Sequence, residues 1–339
     1  MDPDDGLLAG AELAAVLRAH GLEPVPDDPP RRVTPRVLHL RRTGGGIAIK
    51  VLAPEHAAAA RVEAALLAHL AGAGEGYRVL RRVVPQGGEA PVVIDGRSVL
   101  VTRWEPGHHR PYEAIDVDGW ATLGSTLAAL HRRLDQAAEL PPLPDLVEGL
   151  RALSLDDERR RLGQHQRAVR ARGGPGAELL LAMLDERRIL LERHASEALA
   201  RLPAGEHAPI HNDYNVHNYL FHEHGPPTIL DWERAVRAPR EHELLRCLNH
   251  LPLVAPARAT AFVDGYLGRR SLDPTRLVWA LHATITAHAL KHWPVEAWLA
   301  GAPGALERLP GMAEIVRALV SGGDRMAAFV DRLRARVAS

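Results

Sequence analysis

The sequence predicts an α+β fold with a strand-rich first part and a mainly helical remainder. Two strand–turn–strand patterns lie within the first 103 residues, whereas the pattern after them is almost entirely helical. A chain of 339 residues can bury a large core and is expected to divide into two lobes. We therefore predict a small N-terminal lobe over residues 1–103, with an antiparallel sheet and a helix, and a larger helical C-terminal lobe over residues 104–339.

The composition argues against several classes of partner. Lysine plus arginine and aspartate plus glutamate each total 42, so no charge excess favours a nucleic acid or an anionic membrane. No stretch has the length of a membrane span, and the N-terminus lacks the basic and apolar regions of a signal peptide. Cys247 is the only cysteine, so an intramolecular disulfide is impossible. We expect a cytoplasmic protein with a small-molecule partner, whereas the oligomeric state stays open.

The N-terminal elements follow from apolar spacing and turn residues. Leucine, valine and alanine recur at helical spacing near the N-terminus, and a loop rich in proline and arginine follows. Glycines 44–46 and the pair Asp95-Gly96 are turn signals between apolar β-formers. The predicted elements are a helix over residues 8–20 and strands over residues 36–40, 47–52, 91–94 and 98–102.

Lys50 lies inside the second of these strands, in an apolar run that is typical of strands buried on both faces. Glu63 shares the apolar face of a helix predicted over about residues 55–70. A carboxylate on such a face is costly unless it is paired. We predict an ion pair between Lys50 and Glu63. The alternatives are a solvated strand lysine and a glutamate at the edge of the apolar face.

Helical periodicity dominates the rest of the chain. Leucines four and three residues apart form one stripe over residues 123–134, and proline and glycine clusters separate the later helices. Further helices are predicted over residues 153–172, 177–201, 256–268, 274–293, 304–320 and 323–337.

The stretch from Ile210 to Trp232 concentrates polar side chains between short apolar runs. Tyrosine, leucine and phenylalanine at 219–221 and isoleucine and leucine at 229–230 flank a turn, which predicts a hairpin. A loop would enter this hairpin and Asp231 would stand where its second strand ends. The oxygen-bearing side chains would converge, and hard oxygen ligands without a thiolate suit Mg²⁺. The four polar residues are His211, Asp213, Asn218 and Asp231.

This arrangement resembles the aminoglycoside phosphotransferase and choline-kinase-like family, small-molecule relatives of the protein kinases. The family pattern is His-x-Asp-x-x-x-x-Asn, followed by a strand with a hydrophobic residue, aspartate and an aromatic residue. The resemblance implies a protein-kinase-like bilobal fold and an O-phosphotransferase that uses ATP or GTP with Mg²⁺. It also implies that Asp213 accepts the proton of the attacking hydroxyl, and that Asn218 and Asp231 hold the metal ions.

The same resemblance implies supporting roles outside the catalytic carboxylate. Lys50, paired with Glu63, would contact the α- and β-phosphates of the nucleotide. His211 would support the catalytic loop. Glu243 occupies the position at which the family has an aspartate that braces this loop. Glutamate keeps the negative charge, and its side chain is one methylene longer than that of aspartate.

The segment Arg103-Trp104-Glu105 resembles the hinge of the family. Backbone groups around Arg103 and Glu105 would then bond the edge of a purine. Trp104 is the third candidate nucleotide contact, with packing between the lobes as the alternative for this side chain.

Two departures from the family pattern concern the contacts with the nucleotide and with the acceptor. The stretch from Asp28 to Pro35 lacks the glycines that let backbone N–H groups approach phosphates. Either Arg31, Arg32 or Thr34 replaces those backbone donors, or the loop lies away from the phosphates. The catalytic loop carries larger polar residues than is usual in the family. They either hydrogen-bond the acceptor or satisfy the loop backbone. The candidate acceptor contacts are Tyr214, Asn215, His217 and Glu233.

The leading hypothesis is transfer of a γ-phosphate to a hydroxyl of a small molecule, with an antibiotic or related secondary metabolite as the favoured acceptor. A chain without net charge slightly favours an acceptor that is less cationic than an aminoglycoside. One alternative is a kinase of primary metabolism for choline, homoserine or a sugar. The other is a non-catalytic nucleotide-binding regulatory module.

Overall fold

The computed structural model describes residues 7–8, 10–23, 29–43, 45–71, 76–88, 90–137 and 139–338. The chain forms two compact units, each built from two separate stretches of sequence. The first unit contains residues 1–144 and 209–236, and the second contains residues 145–208 and 237–339. The lobe boundary predicted between residues 103 and 104 falls inside the first unit and stays a prediction.

The first unit is built around a five-stranded antiparallel sheet. Its strands are β1 (Arg31–Thr34), β2 (Val37–Leu40), β3 (Ile47–Leu52), β5 (Val92–Ile94) and β6 (Arg97–Arg103). Their order across the sheet is β1-β2-β3-β6-β5, so paired strands are consecutive along the sheet's part of the chain except β3 and β6, which lie on either side of a helix and two further strands. The helices of this unit are α1 (Gly10–Ala19), α2 (Ala57–Leu70) and α3 (Val117–Leu134).

The central strand β3 is largely buried, which explains why its sequence is almost continuously apolar. Ile47 and Ile49 are fully buried and pack in one cluster with Val16 and Leu17 of α1. Lys50 lies on the same strand, directly opposite Val37 of β2 and Leu100 of β6. The strand pairing therefore fixes where the Lys50 side chain begins.

A second, three-stranded sheet of the first unit carries the polar stretch near residue 220. It consists of β4 (Arg78–Val79), β8 (Tyr219–Leu220) and β9 (Thr228–Ile229), in the order β4-β9-β8. Strands β8 and β9 form the predicted hairpin, with Tyr219 opposite Ile229. The remaining strands are β7 (Pro209–Ile210) and β10 (Val236–Arg237).

The second unit consists mainly of helices. Helix α6 packs against α5, α10 and α12, so it is the centre of this unit. The helices are α4 (Leu146–Arg151), α5 (Leu155–Arg172), α6 (Ala177–Ala200), α7 (Arg240–Leu248), α8 (Leu251–Val254), α9 (Pro256–Leu267), α10 (Arg276–Ala289), α11 (Trp293–Leu299), α12 (Ala305–Ser321) and α13 (Gly323–Ala338).

The predicted α+β class is confirmed by these two sets of elements. Two of the differences from the sequence prediction have identifiable reasons. Strand β1 lies in the proline- and arginine-rich stretch that the sequence predicts to be a loop; all four of its side chains are exposed, so its sequence has no apolar alternation. The helix predicted over residues 274–293 ends earlier, at Ala289, and a separate helix, α11, begins at Trp293 with Pro294 in its first turn. The predicted positions Ala9, Asp28 and Gly44 lie outside the described residues.

Within the described part of the chain, none of the helices combines the length and the apolar character needed to cross a membrane.

Candidate active site

Lys50 is the centre of a cluster of charged side chains in the first unit. Its Nζ atom lies 2.7 Å from a carboxylate oxygen of Glu63 and 2.7 Å from one of Asp231. Glu63 lies on α2 and is 2% exposed, so its charge depends on this lysine. The predicted ion pair between Lys50 and Glu63 is confirmed. A third carboxylate, that of Glu233, lies 3.1 Å from the same nitrogen.

Glu233 also binds a second cation. The guanidinium of Arg36 donates two parallel hydrogen bonds to its carboxylate, at 3.1 and 2.9 Å. Bidentate pairs of this kind hold both groups in a defined orientation. Two cations and three carboxylates therefore meet in one cluster, with one negative charge in excess.

The cluster keeps Lys50 charged. Burial alone would lower the pKa of this lysine, but Glu63, Asp231 and Glu233 together raise it above its ordinary value. Burial likewise opposes the charge of Glu233, yet Lys50 and Arg36 bring the pKa of Glu233 below its ordinary value. A charged lysine can bind phosphate oxygens, and a partly exposed carboxylate beside it can hold the divalent cation that accompanies them.

The loop before β8 arranges hydrogen-bond donors around Asp213. The amide of Asn215 donates to Oδ1 of Asp213 at 3.0 Å, and the amide of Asn218 donates to Oδ2 at 3.1 Å. The same two amides also reach the backbone carbonyl of Asp213. Asn215 in turn accepts from the N–H of His217 at 2.9 Å. These bonds fix the orientation of a carboxylate that is only partly buried.

His211 connects this loop to the end of the hairpin. Its Nδ1 accepts from the N–H of Asp213 at 3.1 Å, so its Nε2 carries the proton and donates to the carbonyl of Leu230 at 2.7 Å. Burial lowers the pKa of His211, which keeps the ring neutral. The N–H of Leu230 donates to the carbonyl of Asn218. Leu230 directly precedes Asp231, so these hydrogen bonds connect the loop to the strand end that carries one carboxylate of the charged cluster.

The donor set fits a magnesium ion. Asp231 accepts from Lys50 through Oδ1, which leaves Oδ2 for a cation, and Asn218 uses its amide nitrogen on Asp213, which leaves its oxygen. Carboxylate oxygens of Glu63, Asp231 and Glu233 also lie within 4.8 Å of one another. Glu63 is enclosed with Lys50, whereas the Asp231 side chain is 33% exposed and is the open member of this group. The metal roles of Asn218 and Asp231 stay predictions.

The backbone of Asp231 has an unusual conformation. Its φ of 58° and ψ of 73° lie in the left-handed region, which a residue with a Cβ rarely adopts. Asn212, beside Asp213, shares this feature with a φ of 61°. Such strain persists only where surrounding contacts impose it, and it is common at functional sites.

The predicted hinge residues lie at the end of β6, whose last residue is Arg103. The N–H of Arg103 donates to the carbonyl of Arg81, and that of Trp104 donates to the carbonyl of Gly46, both at 2.8 Å. The ring of Trp104 stacks on His39 with centroids 3.8 Å apart. The N–H of Glu105 and the carbonyls of Arg103 and Glu105 are thus the backbone groups best suited to a purine, and these contacts stay predictions.

The remaining predicted residues have different surroundings. Tyr214 is 3% exposed and donates its hydroxyl hydrogen to the carbonyl of Leu123 on α3, so its geometry favours a core position over an acceptor contact. His217 is exposed and available to a ligand. Glu243 is fully buried in α7 of the second unit, and its support of the catalytic loop stays a prediction.

Sequence reasoning missed Arg36. The sequence pattern places Arg36 at the start of a strand and offers Arg31, Arg32 and Thr34 as the phosphate donors of the preceding loop. Among these, Arg32 donates to the carbonyl of Pro35, and the Thr34 hydroxyl accepts from the N–H of Arg36. No local pattern identifies Arg36, because its partner Glu233 lies 197 residues away.

The fold and this site define a kinase-like phosphotransferase that acts on small molecules. A family model described as "Phosphotransferase enzyme family" matches residues 30–280, which is well over half of the chain. The chain belongs to this family. The predicted resemblance and the predicted enzyme class are therefore confirmed.

Solved structures with the same fold include three instructive ones. An aminoglycoside phosphotransferase from Alicyclobacillus acidocaldarius subsp. acidocaldarius DSM 446 is 19% identical, with a TM-score of 0.59 and 98% of each chain covered. A spectinomycin phosphotransferase in complex with ADP and spectinomycin is 13% identical, with a TM-score of 0.59 over 94% of this chain and 99% of that one. A microcompartment-associated aminopropanol kinase is 16% identical, with a TM-score of 0.57 over 87% and 92%.

At these identities the structural likeness shows the fold alone. A comparison with curated protein sequences finds no match.

Proposed function

We propose that this protein transfers the γ-phosphate of ATP or GTP to a hydroxyl group of a small molecule. The observation that carries the proposal is the contact of Lys50 with both Glu63 and Asp231, at 2.7 Å each. A lysine held in this way can bind phosphates on the side where Asp231 is exposed. The hydrogen-bonded loop that presents Asp213 begins next to this cluster and supplies a carboxylate of fixed orientation.

Each residue has a distinct part in the proposed reaction. Asp213 accepts the hydroxyl proton while the acceptor oxygen forms its bond to the γ-phosphorus and the bond to the leaving nucleoside diphosphate breaks. Lys50 holds the phosphate chain in line, with Glu63 fixing the lysine. Asp231 and the oxygen of Asn218 would hold Mg²⁺, which neutralises phosphate charge when it is bound. His211 stays neutral and maintains the loop.

The favoured acceptor is an antibiotic or a related secondary metabolite. Of the three proteins compared above, one is named an aminoglycoside phosphotransferase, and another is named a spectinomycin phosphotransferase and was solved with spectinomycin and ADP. The aminopropanol kinase supports the alternative of a small amino alcohol from primary metabolism. The cytoplasmic location expected from the sequence belongs to this proposal as well, since both nucleotides are available there.

A purified-protein assay tests the proposal. Release of nucleoside diphosphate from MgATP or MgGTP is measured across spectinomycin, other aminoglycosides, aminopropanol, choline and homoserine. We expect turnover of at least one antibiotic, and a decrease of about 10²- to 10⁴-fold in kcat for Asp213→Ala. Undiminished turnover by Asp213→Ala would remove this residue from its role.

The same assay separates the alternatives. A higher kcat/KM for an amino alcohol than for any antibiotic would favour the kinase of primary metabolism. Binding of nucleotide that depends on Mg²⁺, without turnover of any acceptor, would favour the regulatory module.

A further inference from the structure

The turn between β1 and β2 brings an arginine to the charged cluster. Thr34 pairs with Val37, so Pro35 and Arg36 alone form the turn. Arg36 is fixed at both backbone groups. Its N–H donates to the hydroxyl of Thr34 at 3.2 Å, and its carbonyl accepts from the N–H of Val51 at 2.8 Å. The side chain therefore starts from a defined position beside β3, the strand that carries Lys50.

Glu233 places the guanidinium next to the lysine. One carboxylate oxygen of Glu233 accepts from Arg36 at 3.1 Å and lies 3.1 Å from Nζ of Lys50. The other oxygen accepts from Arg36 at 2.9 Å. The two cations thus share one carboxylate, and Lys50 in addition contacts Asp231.

The exposure of the two cations differs. The side chain of Lys50 is 15% exposed, whereas that of Arg36 is 43% exposed. A guanidinium has five N–H donors, and Glu233 takes two of them. The others are available to a ligand with several acceptor oxygens. A phosphate chain is such a ligand, and planar guanidinium groups bind phosphates in a bidentate manner.

We propose that Arg36 binds the phosphate chain of the nucleotide from the β1–β2 turn, and that Glu233 positions it for this contact. The turn contains no glycine, so its backbone does not have the conformational freedom that lets N–H groups wrap phosphates. A side-chain donor at the same position performs this binding instead. The inference rests on the proposed function, because it requires a nucleotide beside Lys50.

Equilibrium binding of nucleotides with different numbers of phosphates tests the inference. Isothermal titration with Mg²⁺ compares ATP with AMP, and GTP with GMP, for the wild type and for Arg36→Gln. We expect Arg36→Gln to bind the triphosphate about tenfold to a hundredfold more weakly, since charge-assisted bonds are lost. Its affinity for the monophosphate should stay within about twofold of wild type, because the base and ribose contacts remain.

Arg97→Gln is the matched control. Arg97 also stands next to a hairpin turn of the same sheet and forms an ion pair with a glutamate, Glu12. The Arg97→Gln variant should bind triphosphates and monophosphates with the affinities of the wild type. Arg36→Gln is expected to fold, since Lys50 still pairs with Glu233, and circular dichroism checks this.

If the wild type binds nucleotide, either of two results would overturn the inference. The first is an unchanged triphosphate affinity of Arg36→Gln, and the second is an equal loss of affinity for triphosphate and monophosphate. The latter would mean that Arg36 only maintains the shape of the site. If the wild type binds none of the four nucleotides, the proposed function itself is overturned, and the inference with it.

Discussion

At the scale of single residues, Lys50 decides whether the buried charge in the first unit is tolerated. Glu63 is 2% exposed, and an unpaired carboxylate in such a position would be neutralised or would destabilise the fold. The lysine contacts this glutamate and the partly exposed Asp231 at the same time. One side chain therefore serves both stability and the proposed binding of phosphates.

A substitution of Tyr214 tests whether this residue of the catalytic loop contacts the acceptor or supports the loop. Its buried hydroxyl donates to the carbonyl of Leu123 at 2.9 Å. We expect Tyr214→Phe to lower the free energy of unfolding by about 1 kcal/mol, the usual worth of such a bond. The acceptor KM should not change. Urea unfolding and steady-state kinetics measure the two quantities.

His217→Ala is the comparison for Tyr214→Phe. His217 is exposed on the same loop, so its loss should leave stability unchanged. An increase of the acceptor KM in Tyr214→Phe, without any loss of stability, would assign Tyr214 to the acceptor site instead.

At the scale of elements, the loop and hairpin over residues 211–231 behave as one structural unit. His211 donates to Leu230, and Leu230 donates to Asn218, so each end of the segment is held by the other. The spacing of the motif was readable from the sequence because all these contacts join residues within about twenty positions of one another. The same holds for the ion pair of Lys50 and Glu63, thirteen residues apart on adjacent elements.

Asn215 orients the proposed base from within this element. We expect Asn215→Ala to reduce kcat about tenfold, because Asp213 loses the donor on Oδ1 and is held by Asn218 on Oδ2 alone. The dissociation constant of the nucleotide should stay unchanged, because Asn215 does not contact the Lys50 cluster. Single-turnover kinetics and titration of the nucleotide measure these effects separately.

Asn215→Asp refines the interpretation of Asn215→Ala. Aspartate still accepts from the N–H of His217 but cannot donate to Asp213. It should therefore be impaired at least as strongly. Full activity of Asn215→Asp would show that the bond to His217, rather than the orientation of Asp213, is what matters.

At the scale of the whole molecule, ligand binding and protonation are measurable through unfolding. A nucleotide at a hundred times its dissociation constant should raise the free energy of unfolding by about 2.7 kcal/mol. Chelation of Mg²⁺ with EDTA should remove most of this gain, as should Asp231→Ala. Thermal unfolding with and without nucleotide measures both effects.

Asp156→Ala is the control for Asp231→Ala, since Asp156 is an exposed carboxylate that also pairs with a cation. It should retain the full stabilisation by nucleotide. Stabilisation that is equal with EDTA, and equal in Asp231→Ala, would contradict a metal site at Asp231.

Acid should destabilise the protein through its buried histidines. Burial lowers the pKa of His242 to about 3, whereas an unfolded histidine has a pKa of about 6.5. The unfolded state therefore takes up the proton first. The contribution of the buried histidine to the free energy of unfolding is complete above pH 6.5. It decreases as the pH falls towards the pKa of the folded state, by about 2 kcal/mol at pH 5 for one such group.

His242→Gln should remove this part of the acid sensitivity. The free energy of unfolding, measured with urea at pH 7 and pH 5, should fall less in the variant than in the wild type. His224→Gln, at an exposed turn, should follow the wild type. Identical pH dependence in all three proteins would show that His242 does not contribute.

The sequence by itself determined the α+β class, the family resemblance and the hairpin flanked by His211, Asp213, Asn218 and Asp231, because these depend on local spacing and apolar periodicity. Only the tertiary structure decided that Arg36 shares Glu233 with Lys50 and that Tyr214 belongs to the core. The physical reason is distance along the chain. An ion pair between residues 197 positions apart leaves no periodic trace, since only the folded backbone brings the two side chains together.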